Sequence, residues 1–108
     1  PRDVFESKFE EQVAQALERE KLKVWPQYQA AGFSIDLVVG DGENWIAVEC
    51  DGPTHFDMKE DQNFSDVWRQ NILERAGWKF VRISHRDWER DSSEQIEKVK
   101  EGLRKLRI

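Results

Sequence analysis

The sequence predicts one α+β domain, with helices packed on a small sheet in the order α-β-β-β-α-β-α. Three observations predict it. Apolar residues recur at helical spacing near both ends, as Phe9, Val13, Ala16 and Leu17 and again as Ile96, Val99, Leu103 and Leu106. Between them, Phe33 to His55 has the period-2 pattern of a hairpin around a glycine-rich turn. The chain has 108 residues, 38% of them hydrophobic, which suits a single modest core.

The elements follow in order. Ser7 to Glu20 reads as an amphipathic helix, with Ser7 and Glu10 spaced as a capping box. Lys23 to Tyr28 is the first strand, and Pro26 pushes it to a sheet edge. Phe33, Ile35, Leu37 and Val39 alternate with Ser34, Asp36 and Val38 in the second strand. Gly40 to Glu43 is turn chemistry, Trp45 to Cys50 is the third strand, and Gly52-Pro53 stops it. His55 to Phe64 is polar and irregular, which predicts a loop. Ser65 then caps a helix over Asp66 to Ala76, closed by Gly77. Trp78 to Ser84 is the fourth strand, with Trp78, Phe80 and Arg82 on one face and Lys79, Val81 and Ile83 on the other. Ser92 and Gln95 form a capping box for the last helix. Trp25, Trp45, Trp68 and Trp78 lie in regular elements and are expected in the core, while the place of Trp88 stays open.

The charge is uneven. Residues 1–54 carry 5 basic and 11 acidic side chains, and residues 55–108 carry 12 and 11, for a net charge of −5. That balance weighs against tight autonomous binding to nucleic acid, whose affinity follows Lys and Arg count. No run of 18 apolar residues and no secretion signal is present. The first residue is not Met, so a domain cut from a longer protein is expected. The single cysteine, Cys50, rules out an internal disulfide, fits a reducing compartment and reads as a buried, inert thiol. Cys50, His55 and His85 lack the paired spacing of a zinc site.

The chemistry lies in three acids set inside the apolar hairpin. Glu49 and Asp51 share a face, and a turn centred near Gly42 brings Asp36 opposite Glu49. Carboxylates crowded together repel one another unless a cation lies between them. Hard oxygen donors suit Mg²⁺ or Mn²⁺. Asp is depleted from strands, so Asp36 between Ile35 and Leu37 has a weak structural reason to be there.

Ser7-x-Phe9-Glu10, Pro26-Gln27, Ile35-Asp36-Leu37, Glu49-Cys50-Asp51-Gly52 with His55, Asp66-x-x-Arg69-x-x-x-Leu73-Glu74-x-x-Gly77-Trp78, Val81-x-Ile83 and Trp88 occur in a distinctive order. Together they resemble the restriction-endonuclease-like PD-(D/E)XK superfamily. The nearest branch resembles the very-short-patch-repair endonucleases, with helicase-associated nuclease domains and phage-type homing endonuclease catalytic domains. The resemblance implies a three-layer fold with a mixed central sheet of about four strands, and phosphodiester hydrolysis with Mg²⁺ or Mn²⁺. It implies Glu10, Asp36, Glu49, Asp51 and His55 as catalytic residues, with Asp36, Glu49 and Asp51 on the metal. Duplex DNA is the implied substrate, with a fused DNA-binding or helicase domain to supply target choice. A homodimer is implied where both strands are cut, as is a cytoplasmic, nucleoid-associated setting of bacterial or phage origin.

One departure stands out. The usual Glu-x-Lys is Glu49-Cys50-Asp51 here, and His55 is placed to substitute for the lysine. Gln27 and Asp66 are supporting candidates, although Asp66 also reads as a first-turn acid favoured by the helix dipole. Arg82, Arg86 and Arg90 are candidate phosphate contacts, with His85 a weaker one. The segments DGPTHF and GWKFVRISHRDW also resemble the RAP domains of organellar RNA-binding proteins. The alternative is therefore a non-catalytic RNA-binding module on the same fold.

Overall fold

A computed structural model describes residues 5–52 and 60–106, with the side chains of 60–66 outside the description. The elements are α1 (Lys8–Arg19), β1 (Lys23–Ala30), β2 (Phe33–Gly40), β3 (Trp45–Asp51), α2 (Glu60–Arg75), β4 (Phe80–Ser84), α3 (His85–Arg90) and α4 (Ser92–Lys105). The four strands form one mixed sheet in the order β1-β2-β3-β4, antiparallel until the parallel β3–β4 pair. Pro26 does lie on an edge strand, where a missing N–H is tolerated.

The sheet separates two apolar layers. On one side Phe9, Val13 and Leu17 of α1 and Ile96, Val99 and Leu103 of α4 pack on Leu37, Val39, Ile46, Val48 and Ile83. On the other, Leu73 of α2 packs with Ile35, Val38 and Ala47, flanked by Trp78 and Phe80. The fold is thus the expected three-layer, restriction-endonuclease-like arrangement of helices on both faces of a four-stranded mixed sheet.

Several local expectations change. α2 begins at Glu60, so Ser65 lies inside it rather than at its cap, and Asp66 is past its first turn. Its C-terminal stop is as expected. Gly77 takes φ +101°, and Trp78 N donates to Leu73 O, closing the helix as a Schellman turn. An additional short helix, α3, follows β4, with the Ser84 side chain accepting from Asp87 N. The cap of α4 is Asp91, whose Oδ1 accepts from Glu94 N, and not Ser92. Gln95 instead turns inward, 2% exposed, with its Oε1 lacking a partner among the described residues.

The tryptophan expectation holds for Trp78, which packs against the α2-side core, and fails for three others. Trp25, Trp45 and Trp68 are 41%, 56% and 59% exposed. Trp25 and Trp45 line an open groove of about 300 Å³ with Tyr28, Val38 and Trp78 on the α2 side of the sheet. Trp88, which the sequence leaves open, packs on the α1–α4 core beside Phe9, with ring centroids 6.5 Å apart.

The strict alternation read in β2 also fails at one place. Leu37 and Val39 face α1 and α4, but Ile35 faces α2. The pairs Pro26↔Leu37 and Tyr28↔Ile35 leave Gln27 across from Asp36, and Gln27 has φ +48°. Both strands slip by one face there without losing register. Non-glycine residues at positive φ are uncommon and cluster where structure over-determines them. The slip turns Gln27 and Asp36 toward α1.

At Gly102, α4 lies close against the sheet. A Cβ there would lie 2.6 Å from Ile46 Cδ1 and 3.2 Å from Val81 Cγ2. Gly102→Ala is expected to be nearly neutral, because about 1 kcal/mol of helix propensity offsets the crowding. Gly102→Leu gains nearly the same propensity, but its extra volume outweighs it and the variant loses about 2 kcal/mol, read as a lower urea midpoint at unchanged m-value.

Candidate active site

The backbone ladder between β2 and β3 runs from Gly40↔Trp45 to Leu37↔Val48. One residue further the strands part, and carboxylates take over the hydrogen bonding. Asp36 N donates to Glu49 Oε2 at 3.0 Å, and Cys50 N donates to Asp36 Oδ2 at 2.9 Å. Asp36 and Glu49 thus bridge the mouth of a fork.

α1 supplies the next acid. Glu10 is 5% exposed, held over the fork by the apolar face that seats Phe9, Val13 and Leu17. Its N–H satisfies the Ser7 cap, as the sequence suggests. Its carboxylate has other partners. Glu10 Oε1 accepts from Gln27 Nε2 at 2.9 Å and from Glu6 N at 3.3 Å. Ser34 Oγ donates to Gln27 Oε1 at 2.7 Å, so β1 and β2 jointly orient the amide that orients Glu10.

Glu6, Glu10 and Asp36 each bring a carboxylate oxygen within 4.8 Å of the other two. Burial pushes the Asp36 carboxyl up to about 7, helped by the nearby Glu49 charge. Burial also raises Glu10 above the usual carboxylate range. Both shifts mean that negative charge is concentrated here in a partly dry place. The oxygen-only donor set and its surplus of negative charge fit a hard divalent cation of the Mg²⁺ or Mn²⁺ kind.

Two expected ligands also have arginine partners. Glu49, 4% exposed, forms an ion pair with Arg69 of α2. Arg69 Nη1 also donates to Ser34 O at 2.9 Å. Asp51 receives both Arg82 Nε at 3.1 Å and Arg82 Nη2 at 2.9 Å, and Arg82 also reaches Gln70. The remaining sequence candidates are more dispersed. Arg90 is exposed and pairs with Asp87 at 3.3 Å and Glu94 at 3.8 Å, while Arg86 is exposed on α3. His85 Nε2 lies 2.9 Å from Glu89, with its ring edge-to-face on Phe9. His55 and the side chain of Asp66 lie outside the described residues. Burial pushes the Cys50 thiol far up, which keeps it protonated and inert.

Sequence reasoning missed Glu6, Ser34 and Arg69. Arg69 sits in the quoted Asp66-x-x-Arg69 pattern, but its acceptors are 20 and 35 residues away and no local spacing announces them. Glu6 precedes the helix cap, where a charged residue is unremarked.

The chain is 31% identical over 64 residues to a "RAP domain-containing protein, chloroplastic" of Oryza sativa subsp. japonica. That stretch is 58% of this chain and 10% of the rice protein, so the chain spans a small part of that relative's length. No solved structure matches significantly. The family model REase_MTES_1575 matches residues 9–103, which take in most of α1 and α4 and, at the fork, Glu10, Asp36 and Glu49. With that match, the chain belongs to the REase_MTES_1575 family, a restriction-endonuclease-like family of the PD-(D/E)XK superfamily.

Proposed function

We propose that the chain is the catalytic domain of a metal-dependent DNA endonuclease, of the very-short-patch-repair-like or homing type. The observation that carries it is the fork. Glu10 of α1, Asp36 of β2 and Glu6 just before α1 converge where the β2–β3 ladder ends, and the family match over residues 9–103 takes in Glu10 and Asp36.

Asp36 and Glu10, with Glu6, would hold Mg²⁺ or Mn²⁺. The bound cation supplies Lewis acidity, lowering the pKa of a water and offsetting charge that builds on the phosphate. Ser34 and Gln27 fix Glu10 Oε1, and Cys50 N–H fixes Asp36 Oδ2, so the carboxylates are oriented before substrate arrives. Glu49 pairs with Arg69 of α2 and Asp51 with Arg82 of β4, which ties β3 to its neighbours beside the fork. His55, four residues after Asp51, takes the proton of the attacking water or returns one to the leaving oxygen. With a net charge of −5, affinity for duplex DNA comes mainly from a fused DNA-binding or helicase domain. Cutting both strands takes two copies of the site, and the setting is a bacterial or phage nucleoid.

A plasmid-nicking assay tests this. Cleavage is expected with Mg²⁺ or Mn²⁺, absent in EDTA, and reduced roughly 100-fold or more in Glu10→Gln, which loses a charge but keeps an acceptor for Gln27. Cleavage equal in Glu10→Gln and wild type would remove α1 from the chemistry.

The rice relative favours a second reading, a non-catalytic RNA-binding module. It predicts binding to single-stranded RNA that is unchanged by EDTA, with no cleavage of any nucleic acid. Clustered buried acids repel phosphate, and so speak against it.

A further inference from the structure

We infer that the protein carries a groove for single-stranded DNA, centred on Trp45 at the end of β3 away from the carboxylate fork. The groove goes beyond the nuclease reading, and only the choice of DNA over RNA rests on that reading.

The groove is continuous because neighbouring hollows share walls. The aromatic one on the α2 side of the sheet, about 300 Å³, shares Trp45 and Trp78 with a second of about 470 Å³. The second shares Lys79 and Leu106 with a third of about 420 Å³, which Lys98 and Lys105 also line. The path thus starts among aromatic rings and ends among lysines. Trp45 opens β3, and Glu49 follows four residues later, about 13 Å away at the usual strand rise. That spacing sets the middle of the groove apart from the fork.

The rings are in place before anything binds. Tyr28 and Trp78 meet edge to face with centroids 5.7 Å apart. Trp25 lies across Gly40, where a Cβ would come within 3.3 Å of its Cζ3. Trp25, Tyr28 and Trp45 are all exposed. Aromatic surface gathered in one place and left in water marks an interaction site. Such rings take nucleobases face to face, whatever the base. Bases in a duplex are already stacked on one another, so a single strand is the form that fits.

The lysines supply the other half of the match. Lys79, Lys98 and Lys105 are exposed, and none has a carboxylate partner among the described residues. Lys98 Nζ donates to Arg82 O at 2.8 Å. By contrast Arg69, Arg82, Arg90, Lys100 and Arg104 each have a carboxylate partner. Two acids line the path, Glu43 and Glu101, and Glu101 is held by Arg104. The net charge of −5 describes the whole surface, whereas the field in a groove follows its own charges. An apolar protein surface laid here would cover three ammonium groups without pairing them. Unpaired nucleotides bring flat bases for the rings and phosphates for the lysines.

The test is fluorescence anisotropy of a labelled oligothymidylate of about 12 nucleotides, in EDTA so that metal-dependent cleavage plays no part. The proteins are wild type, Trp45→Ala, Trp45→Phe and Lys79→Ala/Lys105→Ala, each checked for folding by circular dichroism. All three positions are exposed, so the variants keep the fold. Wild type is expected to bind the single strand at least about tenfold tighter than a duplex of the same length. Trp45→Ala weakens binding about tenfold, the effect of one lost stacking partner, and Trp45→Phe stays within about threefold. The lysine pair lowers the slope of log affinity against log salt by about 1.4, two phosphates' worth on a single strand. Wild type that binds no oligothymidylate, or Trp45→Ala that binds as tightly as wild type, would overturn the proposal. Either failure leaves the nuclease reading standing, because the nicking assay uses metal and duplex plasmid and this one uses neither. An oligouridylate bound more than about tenfold tighter would overturn the assignment to DNA and favour the RNA-binding reading. A wild-type dimer that Trp45→Ala dissolves, seen by sedimentation, would give the groove to a second copy of the chain instead.

Discussion

Asp36→Asn is expected to abolish metal-dependent cleavage and, without metal at pH 8, to raise the unfolding temperature. The two effects share one cause. Asp36 is half-buried beside Glu49 and near Glu10, and its carboxyl is pushed up from 3.8 to about 7. A carboxyl whose folded pKa lies above its unfolded value contributes stability that is complete below about pH 4 and lost as pH rises through about 7. Metal-free wild type should therefore be more stable at pH 5 than at pH 8, by about 2 kcal/mol after solvent screening, and melt correspondingly higher. Asparagine keeps an oxygen for Cys50 N–H and carries no charge, so the variant should lack this part of the decline. Alanine would leave that N–H without its acceptor, which obscures the gain. Thermal melts of both proteins at pH 5 and pH 8 in EDTA check the sign. An Asp36→Asn protein that melts lower than wild type at pH 8 would show that the carboxylate is a structural asset rather than a strained one.

Leu37→Ala is expected to cost about 3 to 4 kcal/mol, the largest loss from a single core truncation near the site. Leu37 is fully buried, sits next to Asp36, and belongs to the last backbone-paired position before the strands part. It touches the core that α1 and α4 share, so no mobile surface can collapse into the void. A domain of this size is stable by about 5 to 15 kcal/mol in total, so the variant should melt more than about 10 °C lower. Its cleavage at low temperature should remain measurable, because the carboxylates themselves are untouched. A variant with wild-type melting and no activity would mean that Leu37 positions Asp36 instead of supporting the fold.

The sequence makes the centre of the fold legible and its periphery much less so. The hairpin is readable because alternation and a glycine turn are local signals, and counting from the turn brings Asp36 to Glu49, which the hydrogen bonds join. The helices α1 and α4 are readable because their apolar faces cover one side of the sheet. α2 is placed too late because Glu60 to Ser65 offers no apolar stripe, and α3 is missed because six residues are too few to show a period. The exposed tryptophans mislead because apolar character does not say whether anything covers a given face of the sheet. Within the site, Asp36 and Glu10 stand out as acids among apolar neighbours. Arg69 and Glu6 do not, because their meaning depends on contacts between distant elements. The face slip at Gln27 is invisible for a related reason: a positive φ at glutamine has no signature in the residue itself.

The central claim is that the carboxylates at the β2–β3 fork hold a divalent cation. Titration calorimetry with Mn²⁺ on wild type and Asp36→Asn tests it most directly. The account predicts binding to wild type at about one site's worth of heat or more, and loss of that binding by roughly 100-fold in Asp36→Asn. Equal binding by the two proteins, or none by wild type even with a duplex DNA oligonucleotide present, would contradict it.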